Sequence, residues 1–169
     1  MDELVGSFQE FWRKGTLIKE WKKTRFYPIF KGGDANDTGN YRGVSLLDIG
    51  YKILAGVMER RLRAWVEKNK ILKESQAGFR GRRGTRDHIF VLNSLIGSKL
   101  KREGGKVYAA FIHFKKAFDT VDRVILEEKL RAIGVEGRFL NRVNVIYKET
   151  WCELITSKGV SKPFKYRWE

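Results

Sequence analysis

Residues 106–122, K-V-Y-A-A-F-I-H-F-K-K-A-F-D-T-V-D, constrain the fold more than any other stretch, because they pass from a strand pattern through a turn to a helix start. The opening residues are β-branched or aromatic and follow Gly104-Gly105, which predicts a buried strand over residues 106–114. That strand would set Val107, Ala109, Phe111 and His113 on one face and Tyr108, Ala110, Ile112 and Phe114 on the other. A polar turn then leads to Asp122, the expected N-cap of a helix running to Gly134. A carboxylate at the end of such a strand, beside main-chain N–H groups and lysines, would suit phosphate and a divalent metal. The chain carries His113 there. Taken alone, a histidine on an apolar strand face reads as a core residue hydrogen-bonded to a neighbour. His88 reads as a helix-surface residue, and the two have no metal-site spacing.

Periodicity predicts the remaining elements. Leu4, Phe8, Phe11 and Trp12 share a helical face that Gly15 can end. Residues 22–31 read as a strand, with Pro28 marking an edge or bulge because it has no N–H for the ladder. Residues 32–40 are a loop by composition. From Asp48 to about Val66 the apolar sets Ile49, Ile53, Val57 and Leu54, Met58, Leu62 recur at helical spacing. A further helix is expected from Thr85 to about Arg102 on Ile89, Leu92, Ile96 and Leu100. Another rests on Phe139, Leu140, Val143 and Tyr147, and a hairpin crosses residues 157–159. No repeat, low-complexity tract or long Pro/Gly linker interrupts this mixed order.

The charge balance points to a polyanionic partner. Thirty-five Lys and Arg stand against 20 Asp and Glu, a net charge of +15, with a pI near 10.0. Within residues 59–86 the net is +7, from ten basic and three acidic residues. The densest part is F-R-G-R-R-G-T-R at residues 79–86, containing Arg80, Arg82, Arg83 and Arg86. Its glycines would let a partner approach the backbone, and the helix from Thr85 would turn its N-terminus to the same place. The alternative is a solvated basic loop. Cys152 is the only cysteine, so neither an internal disulfide nor a cysteine-based zinc site can form, which favours a reducing compartment. No apolar run reaches the roughly 18 residues of a membrane span, and M-D-E-L lacks a basic signal-peptide start. The expected setting is cytoplasm or nucleus, with no membrane partner.

The segment at residues 111–122 resembles motif A of the reverse transcriptases of non-LTR (LINE-type) retrotransposons. Three further strings recur in family order: W-K-K-T-R-F-Y-P-I-F-K-G-G-D at 21–34, N-Y-R-G-V-S-L-L at 40–47 and S-Q-A-G-F-R at 75–80. The resemblance implies an α+β fold, the fingers and first part of the palm of a right-hand polymerase, with mixed helices and a small antiparallel sheet. It divides one continuous partial domain into an N-terminal extension and fingers over residues 1–105 and an incomplete palm over 106–169. It puts the motif A metal-binding aspartate on His113 and the aromatic steric gate on Phe118. Phe114 and Arg80 fall beside the nucleotide. Arg42 becomes a second candidate for the nucleic-acid groove, against a structural role in the fingers. Asp119 belongs to the motif without being its metal ligand, and Lys115 and Lys116 read as a solvated pair. The five tryptophans have no regular spacing and read mostly as packing.

The family's two-metal chemistry uses Mg²⁺, whereas no cofactor is expected in this chain. Hard cations prefer oxygen ligands, and an imidazole replaces the motif A carboxylate. The family motifs of the types G-x-x-Q-G and A-D-D would follow beyond Glu169. Three readings therefore stand: a working or split reverse transcriptase, opposed by His113; a catalytically inactive module that binds RNA and DNA through backbone charge; and the unstable product of a decayed element copy. An in-frame Q-G and A-D-D downstream would discriminate among them.

Overall fold

The computed structural model describes residues 2–114, 117, 118, 120–148 and 150–165. Two compact units make up the chain: one comprises residues 1–58 and 117–169, the other residues 59–116.

In the first unit, helix α1 (Asp2–Lys14) ends where Gly15 takes φ +78° and its N–H bonds to the Phe11 carbonyl at 2.8 Å. This is the expected left-handed glycine stop. Phe11 is fully buried and forms the core with Leu17, Trp21, Leu54 and Met58; Leu4 and Phe8 pack against that core. The Phe8 and Trp21 rings lie 5.6 Å apart at a tilt, a favourable aromatic arrangement. Strand β1 (Lys23–Phe30) pairs antiparallel with β2 (Tyr41–Leu46) across the predicted loop, which Asp34 and Asp37 close through side-chain bonds to the main-chain N–H groups of Asn36 and Gly39. Pro28 sits opposite Gly43, beyond the stretch where β1 gains its second neighbour, so the absent N–H interrupts nothing on that side.

Helix α2 (Ile49–Lys68) starts at Asp48, whose carboxylate accepts from the Gly50 N–H at 2.7 Å. Its two predicted apolar stripes are not equivalent. Leu54 and Met58 are buried, whereas Ile49 and Ile53 are exposed. Helix α3 (Thr85–Leu100) belongs to the second unit. After Asp122, which accepts from the N–H groups of Val124 and Ile125, comes α4 (Arg123–Ala132) as expected, then α5 (Gly137–Tyr147). Arg142 of α5 is buried and donates to the carbonyls of Trp12 and Arg13 at 2.8–3.0 Å, tying α5 to the end of α1. Strand β3 (Trp151–Thr156) turns at 157–158 into β4 (Gly159–Val160), the predicted hairpin, and β5 (Phe164–Lys165) returns along β3.

Two expectations are corrected here. The sheet is mixed rather than antiparallel, because β3 joins β1 in parallel, matching Thr24 to Cys152 and Arg25 to Glu153. Parallel neighbours need a long crossover, and the intervening chain supplies it. The second correction concerns residues 106–114, which are irregular and exposed instead of forming a buried strand; Tyr108, Phe111, Ile112 and Phe114 are 74–89% accessible. Strand propensity gains its stabilisation from ladder bonds and cross-strand packing. Among the described residues no strand pairs with this segment.

The second unit holds the end of α2, a loop, and α3 (Thr85–Leu100). Helix α3 occupies nearly the predicted span, yet none of its residues is buried; of its apolar side Ile89 and Leu100 are more than half exposed and Leu92 and Ile96 are half-buried. Lys115, Lys116, Asp119 and Trp168, which the sequence singled out, lie outside the described residues. No helix is long and apolar enough to cross a membrane among the described residues.

Candidate nucleic-acid interface

The loop between α2 and α3 is organised around Arg80. Its Nε and Nη2 donate to the two carboxylate oxygens of Glu67 at 2.8 and 2.7 Å, and its Nη1 donates to the carbonyls of Lys73 and Gln76 at 3.0 and 3.4 Å. The fork geometry matches a carboxylate bidentately, and the remaining donor ties down the turn. The side chain is only 7% exposed. The Arg80 hydrogen bond holds the Glu67 carboxyl below its usual range against an opposing effect of burial, and the same bond raises Arg80. Arg83 likewise pairs with Glu74, donating to its carbonyl at 2.6 Å and to its carboxylate, and the Glu74 carboxyl is lowered chiefly by that bond.

The four cluster arginines thus divide. Arg80 and Arg83 brace the loop, while Arg82 and Arg86 are exposed and form no ion pair among the described residues. The N-terminus of α3 is not open to a phosphate as expected, because the Asp87 carboxylate accepts from the Gly84 N–H at 2.8 Å and puts its own negative charge in the first turn. Arg42 stands exposed on β2 of the other unit.

His113 and Phe114 are exposed on irregular backbone, and Phe118 is 77% accessible. His113 is therefore not the core histidine that an apolar strand face would hold. His88 lies exposed on α3, as read from its helix position. Among the described residues no three His, Cys, Asp or Glu side chains converge as a metal site.

Two features escaped the sequence. Phe79 is 79% exposed beside the arginines, and both Phe79 and Arg82 adopt φ +60°. A cleft of about 300 Å³ also lies between α4 and α5, where Arg123 sits 5.2 Å from the Tyr147 ring centre and donates to its carbonyl at 2.7 Å. Near it, burial pushes the Cys152 thiol up to about 11, which leaves it protonated and unreactive at neutral pH.

The reverse transcriptase (RNA-dependent DNA polymerase) family model matches residues 21–164, from the buried Trp21 to the β5 residue Phe164. The chain belongs to this family. Its relatives include a putative 115 kDa protein in the type-1 retrotransposable element R1DM of Drosophila melanogaster, 30% identical over 79% of the chain and 13% of that protein. An uncharacterized 149 kDa protein of transposon TX1 from Xenopus laevis is 25% identical over 93% of the chain and 12% of its own length. A retrovirus-related Pol polyprotein from type-1 retrotransposable element R2 of Popillia japonica is 28% identical over 73% of the chain and 17% of its length. The non-LTR, LINE-type resemblance therefore stands, and the reverse transcriptase domain has the α+β character expected. The chain spans 12–17% of the length of these relatives.

Proposed function

We propose that this reverse transcriptase chain is a fingers and first-palm segment that binds RNA and DNA through backbone charge and does not itself catalyse nucleotidyl transfer. The observation that carries the binding is the braced loop and the start of α3, where Arg82 and Arg86 respectively stand exposed in a stretch of net charge +7. Prepositioned cations neutralise phosphates with little ordering cost, while Arg83 is held by Glu74 and Arg42, exposed on the other unit, is a separate candidate contact. Phe118 and Phe114 are the nucleotide-side residues by motif position. Arg80 contributes by holding the loop, since its own donors are engaged.

Magnesium, which the family implies, does not fit the donor set at the motif A position. His113 offers one neutral nitrogen where a hard cation takes carboxylate oxygens, and it stands on irregular backbone without the ladder that would fix a ligand. The cytoplasm or nucleus is the proposed setting, in keeping with the single buried Cys152 and the basic charge.

The test is a salt titration of binding to an RNA–DNA duplex. Affinity should fall steeply, and Arg82→Ala with Arg86→Ala should reduce the logarithmic salt slope by roughly two, about 0.9 for each phosphate that is no longer neutralised. An affinity that is flat from low to physiological salt would refute the reading.

A further inference from the structure

We propose that Thr85 is a phosphorylation site for a protein kinase that selects basic residues, presented by local opening of the segment that leads into α3. The proposal needs nothing from the nucleic-acid reading above.

Two threonines end the pattern basic-basic-Gly-Thr, in Arg13-Lys14-Gly15-Thr16 and Arg82-Arg83-Gly84-Thr85. Each has cations two and three residues before the hydroxyl, a charge arrangement that an acidic substrate groove selects. Both threonines are exposed, so neither the pattern nor accessibility separates them.

Conformation does. To bring the hydroxyl in line with the γ-phosphate of ATP while the cations reach such a groove, the acceptor segment must leave its own fold and lie extended in the kinase cleft. At Thr16 this is blocked. Gly15 holds φ +78°, and a Cβ there would fall 2.5 Å from Nη1 of Arg142, which itself donates to the carbonyls of Trp12 and Arg13. The next residue, Leu17, is buried in the core.

At Thr85 little holds the segment in place. Gly84 is already extended at φ −158°, ψ 179°, and no residue of α3 is buried. Arg82 holds φ +60°, which disfavours an L residue, so extension releases strain at the first recognition position. Arg83 must leave Glu74, whose side chain is 83% exposed, and exposed pairs contribute little. Asp87 must release the Gly84 N–H. The Arg80–Glu67 pair lies upstream and stays closed.

In the transfer, Oγ1 of Thr85 attacks the γ-phosphorus of ATP. An O–P bond forms there as the bond from the γ-phosphorus to the β–γ bridging oxygen breaks; ADP leaves, and the hydroxyl proton passes to a carboxylate of the kinase. The product adds a charge of about −1.5 to −2, which takes the net charge of residues 59–86 from +7 to about +5.

The full 169-residue chain is incubated with ATP, magnesium and the catalytic subunit of a cyclic-AMP-dependent protein kinase, and the phosphate is located by tandem mass spectrometry. Phosphate should accumulate on Thr85 at least about tenfold faster than on Thr16, a factor set by the cost of freeing Leu17 from the core. Thr85→Ala should remove that label and Thr85→Ser should retain it. Arg82→Gln should slow labelling of Thr85 by about tenfold through the lost charge contact, with the thermal melt unchanged because the side chain is exposed and forms no ion pair among the described residues. Labelling of Thr16 at an equal or higher rate would overturn the proposal, as would labelling of Thr85 that is indifferent to Arg82→Gln. So would an unlabelled Thr85 in a reaction where a standard peptide substrate of the kinase is labelled.

Discussion

Gly50 and Gly56 both lie in α2, yet replacing each by alanine should move stability in opposite directions. In a helix interior the change from glycine ordinarily gains about 1 kcal/mol from reduced backbone entropy in the unfolded chain. At Gly56 an ideal Cβ meets nothing within 4 Å, so that gain should be realised. At Gly50 the same atom would fall 2.6 Å from Cζ2 and 2.9 Å from Cε2 of Trp21, and 3.1 Å from Oδ1 of Asp48. These are poor candidates for retreat. Trp21 is 7% exposed, and its rigid indole packs against Phe8, while Asp48 caps the helix by accepting from the Gly50 N–H itself. Overpacking of this kind costs about 1–3 kcal/mol, which outweighs the propensity gain. The expected outcome is a loss of about 1–2 kcal/mol for Gly50→Ala and a gain of up to about 1 kcal/mol for Gly56→Ala. In a chain of this size each kcal/mol shifts Tm by roughly 2–4 °C. Urea unfolding followed by circular dichroism measures both, with equal m values showing that stability changed while the surface exposed on unfolding did not. Trp21→Phe should relieve part of the Gly50→Ala penalty in a double-mutant cycle. A Gly50→Ala chain as stable as Gly56→Ala would refute the close packing of α2 on Trp21.

Glu153 should make stability depend on acid pH. Hydrogen bonds from Lys23 foremost, then Arg25, lower its carboxyl pKa despite the opposing effect of burial, so its contribution is present above the unfolded glutamate value of about 4.3 and is lost as pH falls through the lowered folded value. Glu153→Gln should lower stability at neutral pH and flatten the acid limb of a melting series below about pH 5, and an unchanged acid limb would sink the assignment. Primer extension by the unaltered chain in magnesium or manganese should yield no product, because His113 stands where the motif requires a carboxylate. A product that disappears on adding a chelator and is absent from a heat-killed control would refute it.

The proposed binding surface owes its form to neutralised as much as to exposed charge. Glu67 and Glu74 bind Arg80 and Arg83, so much of the cluster's charge serves to hold the loop in shape. Counting basic residues located the charged segment, whereas the engagement of the Arg80 donors became visible only in the fold. A carboxylate thirteen positions upstream of Arg80 takes up its fork, and nothing in local spacing announces that pairing.

The residues alone determined what short-range chemistry can determine. Gly15 stops α1, Asp122 starts α4, Asp34 and Asp37 shape the loop before β2, and the turn before Gly159 joins β3 to β4, because each depends on a few adjacent backbone groups. The ordered motif strings likewise carried the family, since they are read without any fold. Tertiary structure decided the rest. The parallel pairing of Thr24 with Cys152 joins positions far apart in the chain, and many registers would satisfy the same hydrophobic pattern. It also decided that Leu54 and Met58, not Ile49 and Ile53, face the core, and that the β-rich segment 106–114 stays irregular. A strand is completed only by its neighbours, and a side chain becomes a latch or a binding group only when the fold brings, or withholds, a partner for its charge.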